Sequence, residues 1–279
     1  MRTTAGWLTQ TAVVLLLFGI VAAAVRFAES RLAFIPTRGE QRTPQAFGIA
    51  FTAITLHTAD GETIRAWHLP HATPRARVLY FHGNGGNLSL WSDVLAGIWH
   101  QGFDIVALDY RGYGLSSGSP SERGLYRDVD ALLAHVQQQP HADAPLVYWG
   151  RSLGTVMAAY AAAQRAPDGV ILESGFPTMR SVLETQPITW LFSWLSSYTF
   201  PTADWMSTVR APVLVLHGDK DRVIRYRLGQ RLFDRLSGPK RFVTLPGVDH
   251  NDPIAADWPL YWDAVRGFAE SLTSSSRPQ

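Results

Sequence analysis

The fold of this chain is decided by the stretch Leu146-Val147-Tyr148-Trp149-Gly150-Arg151-Ser152-Leu153-Gly154. It begins as a short apolar strand and passes through Gly-x-Ser-x-Gly into a run of helix-forming residues. A tight turn between strand and helix leaves no space for side chains on its flanks, which requires Gly150 and Gly154. The turn exposes the serine hydroxyl at a helix N-terminus, where the helix dipole favours negative charge. The pattern therefore predicts that Ser152 is a nucleophile.

Strand and helix signals alternate on both sides of this turn. A hairpin is predicted first, because Asp60-Gly61 separates two strand-like runs. The strands are predicted at residues 51–58, 62–69, 77–81, 104–108, 146–148, 170–172, 213–216 and 241–245. The helices are predicted at residues 88–101, 121–139, directly after 152, 228–236 and 257–272. This order predicts an α/β fold with antiparallel N-terminal strands, a mostly parallel central sheet and helices on both faces.

Composition restricts the class of protein. The chain has 279 residues, of which 46% are hydrophobic and 17% are charged, as in globular enzymes and unlike disordered chains. The formal charge of +2 is too small and too scattered to favour nucleic acid as a partner. The sequence contains no cysteine, which excludes disulfides, thiolate metal sites and a cysteine nucleophile. No cofactor and no metal are predicted.

The first thirty residues differ from the rest of the chain. Residues 12–25 are an unbroken apolar run, and the longer stretch 5–25 would form a helix of about 31 Å, enough to cross one hydrocarbon core. Arginines stand at both edges, at positions 2 and 26. We predict an uncleaved transmembrane anchor over residues 1–30. The alternative is a signal peptide cleaved near Ala22-Ala23-Ala24.

Three regions follow from this interpretation: the anchor, a catalytic domain over residues 31–273 and a polar tail over residues 274–279. Basic residues after the anchor outnumber those before it, which favours by a small margin a catalytic domain on the cytoplasmic side. If the first segment is cleaved instead, the protein is secreted or periplasmic.

A serine hydroxyl needs a base, and an acid that orients the base, to become a nucleophile. In the α/β-hydrolase arrangement the acid follows a later strand and the histidine follows the last one. His250 stands in the loop after the last predicted strand and is interpreted as the base. Asp219 and Asp221 both follow the strand at 213–216, and their spacing from it does not separate them as candidates for the acid.

A glycine-rich loop, His82-Gly83-Asn84-Gly85-Gly86-Asn87, follows the strand at 77–81. Glycines let backbone N–H groups face a substrate carbonyl oxygen, so this loop is predicted to supply one oxyanion donor. The N–H of Leu153, next to the nucleophile, is predicted to supply the other. A phosphate-binding loop is the alternative, but its Gly-Lys-Ser/Thr ending and its Gly-x-Gly-x-x-Gly pattern do not occur in this loop.

Five motifs occur in the order found in one enzyme family. They are His82-Gly83-Asn84-Gly85-Gly86-Asn87, Asp109-Tyr110-Arg111-Gly112-Tyr113-Gly114-Leu115-Ser116, Gly150-Arg151-Ser152-Leu153-Gly154, His217-Gly218-Asp219-Lys220-Asp221 and Gly247-Val248-Asp249-His250-Asn251. Together they resemble the membrane-anchored α/β-hydrolase-domain family of serine hydrolases, which is similar to protein depalmitoylases and to monoacylglycerol and lysophospholipid lipases. The resemblance extends from about Arg31 to Phe268.

The resemblance implies an α/β-hydrolase fold, Asp221 as the acid, the Asn84 N–H as the first oxyanion donor and an N-terminal apolar anchor. One departure is the cysteine-rich N-terminus of the depalmitoylases, which this chain does not have.

The segment between the strands at 170–172 and 213–216 is unusually aromatic. Its aromatic residues are Phe176, Trp190, Phe192, Trp194, Tyr198, Phe200 and Trp205. We expect a short cap over Ser152, with helical spacing from Trp190 to Leu195 and some aromatic side chains lining an acyl pocket or contacting lipid.

The predicted activity is hydrolysis of carboxylic esters or thioesters, with an acyl chain as the expected substrate group, through an acyl-enzyme on Ser152. One alternative is a non-hydrolytic binding protein on the same fold. Another is a dehalogenase, which would need a carboxylate nucleophile where this chain has Ser152.

Overall fold

The computed structural model of the protein describes residues 4–139, 144–186, 189–194, 196–252 and 258–275. Its strands are β1 (Ile35–Pro36), β2 (Thr52–His57), β3 (Thr63–Leu69), β4 (Ala76–Phe81), β5 (Gly85–Gly86), β6 (Phe103–Asp109), β7 (Leu146–Arg151), β8 (Gly169–Glu173), β9 (Val213–Gly218) and β10 (Lys240–Leu245). Its α-helices are α1 (Thr4–Ala33), α2 (Ser92–His100), α3 (Glu122–Gln137), α4 (Leu153–Gln164), α5 (Met179–Leu183), α6 (Thr202–Met206), α7 (Tyr226–Asp234) and α8 (Pro259–Ser275). Of the predicted tail, residues 276–279 lie outside the described residues.

Eight strands form the central sheet, in the order β10-β9-β8-β7-β4-β6-β3-β2. β2 pairs antiparallel with β3, and β3 pairs antiparallel with β6. The other neighbouring pairs are parallel. This arrangement confirms the predicted fold class. Because parallel strands end at the same edge, the loops that follow β4, β7, β9 and β10 meet there.

Helices cover both faces of the sheet and create two cores. One core contains Leu125 of α3, Val156 of α4 and Leu228 of α7. The other contains Leu95 of α2 and Val265 of α8. The central strands are buried on both faces, so their sequences are continuous apolar runs without polar alternation.

The segment between β8 and β9 forms only short helical turns. Besides α5 and α6 it contains a 3-10 helix, Thr189–Phe192. The helical spacing from Trp190 to Leu195 therefore corresponds to a helix only as far as Phe192, and Leu195 lies outside the described residues. A helix of so few residues gains little from its own hydrogen bonds, so contacts with the rest of the fold decide its form.

The N-terminal segment is helical, as predicted, and forms the single long helix α1. Its described apolar side chains are largely exposed, with Leu15 and Leu16 each at 64%. The Phe18 ring stacks on the Trp194 ring at a centroid distance of 5.3 Å. Among the helix residues whose side chains the structure describes, no stretch has both the length and the apolar character needed to cross a membrane. The transmembrane span predicted over residues 5–25 is not supported by this finding.

Candidate active site

Ser152 lies between the end of β7 and the start of α4, in the tight turn that the sequence predicts. Its backbone has φ 53° and ψ −118°, a conformation that a residue with a side chain rarely adopts. A Cβ at Gly150 would lie 2.1 Å from the Gly154 carbonyl oxygen, and a Cβ at Gly154 would lie 1.8 Å from the Phe81 carbonyl oxygen. Both glycines are therefore required by close backbone contact.

The structure brings Ser152, His250 and Asp221 into one hydrogen-bonded row. His250 Nε2 lies 3.0 Å from Ser152 Oγ, and His250 Nδ1 lies 2.7 Å from Asp221 Oδ2. Because a carboxylate can only accept, Nδ1 carries the proton, which leaves Nε2 free to accept the serine proton. This is the geometry that general-base activation of a serine needs.

The Asp221 carboxylate is buried and well supplied with hydrogen-bond donors. Its Oδ1 accepts from the N–H groups of Val223 at 3.0 Å and Ile224 at 2.7 Å. Burial alone would raise the pKa of Asp221, but the hydrogen bonds and the nearby imidazoles of His217 and His250 outweigh it and hold the pKa well below its ordinary value. The group is therefore ionised at neutral pH.

Asp219, the other candidate for the acid, has a different position. It is exposed, and its Oδ1 accepts from the N–H of Gly247 at 2.7 Å. It thereby ties the loop after β9 to the loop that carries His250. Asp221 has the contact with the imidazole ring that Asp219 does not make.

The two predicted oxyanion donors, the N–H groups of Asn84 and Leu153, both border the cavity that contains Ser152. Within the described parts of the chain, neither N–H has a hydrogen-bond acceptor. The fully buried His82 donates from Nδ1 to the Gly83 carbonyl at 2.7 Å. Since that carbonyl and the Asn84 N–H belong to one planar trans peptide and point in opposite directions, this bond fixes the direction of the N–H.

The glycine-rich loop is also held by two tyrosines, to which the sequence analysis assigned no role. The hydroxyl of Tyr110 donates to the His82 carbonyl at 3.0 Å. The hydroxyl of Tyr113 shares its proton between the Asn84 carbonyl at 2.9 Å and Asn84 Oδ1 at 3.0 Å. Both tyrosines belong to the second of the five motifs. The motif marked the residues, but only the fold reveals which loop they contact.

A buried ion pair below the histidine loop was also missed. Arg151, within the Gly-x-Ser-x-Gly turn, donates from Nη2 to the His250 carbonyl at 3.0 Å, and its Nε lies 3.4 Å from Glu173 Oε1. The hydroxyl of Tyr261 donates to Glu173 Oε2 at 2.8 Å. This network connects the nucleophile turn to the backbone of the base.

Ser152 opens into a cavity of about 480 Å³, within the size range of small-molecule sites. Apolar side chains form most of its wall: Ala33, Ile35, Trp91, Phe176, Met179, Val182, Phe200, Val223 and Ile224. A larger groove of about 1020 Å³ lies on the outer side of Asp221, but charged side chains line it and it does not reach Ser152. The described residues contain no group of three or more acidic, histidine or cysteine side chains placed to hold a metal.

Several known proteins are similar to this chain in sequence or in fold. The profile of a family described as serine aminopeptidase, S33, matches residues 72–207. The α/β hydrolase domain-containing protein 17B of Xenopus tropicalis is 34% identical over 209 residues, which cover 73% of this chain and 70% of that protein. An uncharacterised membrane protein of Saccharomyces cerevisiae is 33% identical over 244 residues, which cover 83% of this chain and 84% of that protein.

Among solved structures, an esterase of Pyrococcus furiosus superposes with a TM-score of 0.69 at 16% identity. The match covers 86% of this chain and 98% of the esterase chain. At this identity the likeness is one of fold.

Proposed function

The chain belongs to the α/β-hydrolase-domain family, and from that membership and the geometry of the site we propose that it is a serine hydrolase of acyl esters or thioesters. The relatives and the fold support ester hydrolysis in general. The observation that carries the finer proposal is the row from Asp221 through His250 to Ser152, which ends at the wall of an apolar cavity.

The proposed reaction uses these groups in two steps. His250 Nε2 takes the proton of Ser152 Oγ as Oγ attacks the carbonyl carbon, and the N–H groups of Asn84 and Leu153 bind the oxyanion. His250 then gives the proton to the leaving alcohol or thiol, and an acyl-enzyme remains. Water, deprotonated by His250, attacks the acyl-enzyme, and His250 gives this proton to Ser152 Oγ as the acid is released. Asp221 keeps the imidazole in its tautomer throughout and does not take the proton.

The cavity supports an acyl chain as the group that binds next to Ser152. Phe176 and Phe200 are buried side chains of the cap that face this cavity together with Met179 and Val182. An acyl chain gains binding free energy against apolar walls, because each methylene that is buried contributes about 0.8 kcal/mol. The same argument applies to an ester and to a thioester.

We further propose that the protein works at a membrane, to which α1 attaches it. The apolar side chains of α1 are largely exposed, and patches of this kind mark contacts with lipid or with other proteins. The yeast relative is named as a membrane protein. Trp194, which stacks on α1, would bring the cap to the same surface.

The test is turnover of a series of p-nitrophenyl esters by the full chain. We expect kcat/KM to rise about fourfold for each added methylene until the cavity is filled. Ser152→Ala should reduce kcat by about 10⁴-fold or more, because the nucleophile is removed. The matched control is Ser237→Ala, which removes an exposed hydroxyl distant from Ser152 in the sequence and should keep wild-type turnover.

Two results would contradict the proposal. Near-normal turnover by folded Ser152→Ala would show that another group performs the chemistry. Binding of the esters by the wild-type protein without any turnover would favour the non-hydrolytic binding protein instead.

A further inference from the structure

The end of α1 is hydrogen-bonded to the loop that carries the proposed oxyanion donor. Asn84 Nδ2 donates to the carbonyl of Ala33, the last residue of α1, at 2.7 Å. The single proton of the Tyr113 hydroxyl is shared between Asn84 Oδ1 at 3.0 Å and the Asn84 backbone carbonyl at 2.9 Å. Both polar atoms of this side chain are therefore used, one toward α1 and one toward the core of the fold.

The chain that follows Ala33 runs along the same loop. β1 (Ile35–Pro36) pairs in parallel with β5 (Gly85–Gly86), and the Thr37 N–H donates to the Gly86 carbonyl at 2.9 Å. Phe34 is buried and packs edge-on against the rings of Tyr198 and Phe200. The chain directly after the Asn84 contact is thus held against the catalytic domain by strand pairing and by the packing of Phe34.

The same junction forms part of the substrate cavity. Ala33 and Ile35 line the cavity next to Asn84 and Ser152. A displacement of the end of α1 would therefore change both the cavity wall and the position of the Asn84 backbone. Oxyanion donors act over short distances, and a misplacement of about 1 Å can cost about 100-fold in rate.

We propose that the side chain of Asn84 is a positioning group that couples the end of α1 to the oxyanion donor. This inference rests on the proposed hydrolase function. The side chain does not touch the substrate carbonyl in this role. It holds the backbone whose N–H does, through the Ala33 carbonyl on one side and the Tyr113 hydroxyl on the other. Attachment of α1 to a lipid surface would then act on kcat through this contact.

Steady-state turnover of a soluble p-nitrophenyl ester by full-length variants tests the coupling. Asn84→Leu has nearly the shape of the natural side chain and cannot form either hydrogen bond. We expect its kcat to fall about 100-fold, with KM within about twofold of wild type, because the donor is displaced and the acyl pocket is kept. Tyr113→Phe removes a single hydroxyl and should lower kcat about tenfold.

The matched control is Gln41→Leu. Gln41 Oε1 accepts from Asn87 Nδ2 at 3.1 Å, so the control also removes an amide hydrogen bond between this loop and the segment after α1. The Gln41→Leu substitution leaves the hydrogen bonds of the Asn84 side chain in place, so kcat should stay at the wild-type value. Circular dichroism and thermal melting check that each variant is folded.

Two results would overturn the coupling. The first is wild-type kcat in folded Asn84→Leu, or in Tyr113→Phe if Asn84→Leu does not fold. The second is a loss of kcat in Gln41→Leu equal to that in Asn84→Leu, because the effect would then reflect general loosening of the loop. If wild-type protein neither turns over the ester nor reacts with a fluorophosphonate, the proposed function itself fails, which is a distinct result.

Discussion

The nucleophile turn and helix α1 differ in where their contacts are made. At the turn, a Cβ added to Gly154 would collide with the backbone of β4, and the neighbouring Leu153 and Thr155 are buried. On α1, Leu15 and Leu16 each remain 64% exposed. The turn is therefore determined by packing inside the chain. The described apolar side chains of α1 stay largely exposed, with the Phe18–Trp194 stack as a contact to the catalytic domain.

If Ser152, His250 and Asp221 act together as proposed, replacing the acid Asp221 should lower kcat more than any other substitution in the predictions below. Asp221→Asn should reduce kcat about 10⁴-fold, because an amide at this position no longer favours the tautomer with Nδ1–H. Asp219→Asn is the control from the same loop and should reduce kcat far less. Pre-steady-state and steady-state rates of both variants with the same ester check this prediction. If Asp219→Asn lowers kcat more than Asp221→Asn does, Asp219 is the acid and the serine mechanism still holds.

The internal packing of the turn leads to the next prediction. Gly154→Ala places a methyl group on the Phe81 carbonyl oxygen, so the turn must shift. We expect kcat to fall about 100-fold or more, together with a lower melting temperature. Gly267→Ala, where a Cβ has no neighbour within 4 Å, is the control: kcat should not change, and the melting temperature should not fall, because alanine favours helix α8 over glycine. Wild-type kinetics in Gly154→Ala would mean that the turn tolerates a side chain.

The ionised acid should also contribute to stability, with a defined pH dependence. The pKa of Asp221 is lowered in the folded state, so its contribution is complete above the unfolded value of about 3.9 and is lost as the pH falls through the folded value. The melting temperature of wild type should exceed that of Asp221→Asn by a few degrees near pH 7. This difference should shrink steadily in melts performed below about pH 4. A difference that grows toward acid would contradict the assigned direction.

Helix α1 provides the smallest expected effect on catalysis. Deleting residues 1–26 leaves Ala33 and its contact with Asn84 in place, so kcat for a soluble ester should remain within about twofold of wild type. Cosedimentation with phosphatidylcholine vesicles should be lost at the same time, because the exposed apolar surface is removed. If full-length protein does not sediment with vesicles either, the apolar surface has another partner.

Sequence reasoning worked where the signal was local. The hairpin at Asp60-Gly61 was predictable because Gly61 adopts φ 88°, which the dipeptide favours. The central strands were predictable because burial on both faces leaves continuous apolar runs. The roles of Ser152 and His250 stay predictions, but their positions at the ends of strands followed from the same local patterns.

Sequence reasoning failed where contacts are distant along the chain. Asp219 and Asp221 stand in one loop, and their spacing from the strand did not separate them; the family resemblance implied Asp221, whose carboxylate is the one in contact with the His250 ring. The hydrogen bond from Tyr113 to Asn84 joins residues from two motifs that the sequence does not connect. The short turns of the cap, such as Thr189–Phe192, carry too little local preference to be predicted.

Mass spectrometry of the protein treated with a fluorophosphonate tests most directly whether the oxygen of Ser152 is the nucleophile. We expect one phosphonyl group per chain, located on the peptide that contains Ser152. Labelling should be absent in Ser152→Ala and strongly slowed in a His250→Ala variant, because the base is required to activate the hydroxyl. Labelling of a different residue, or equal labelling of Ser152→Ala, would contradict the account.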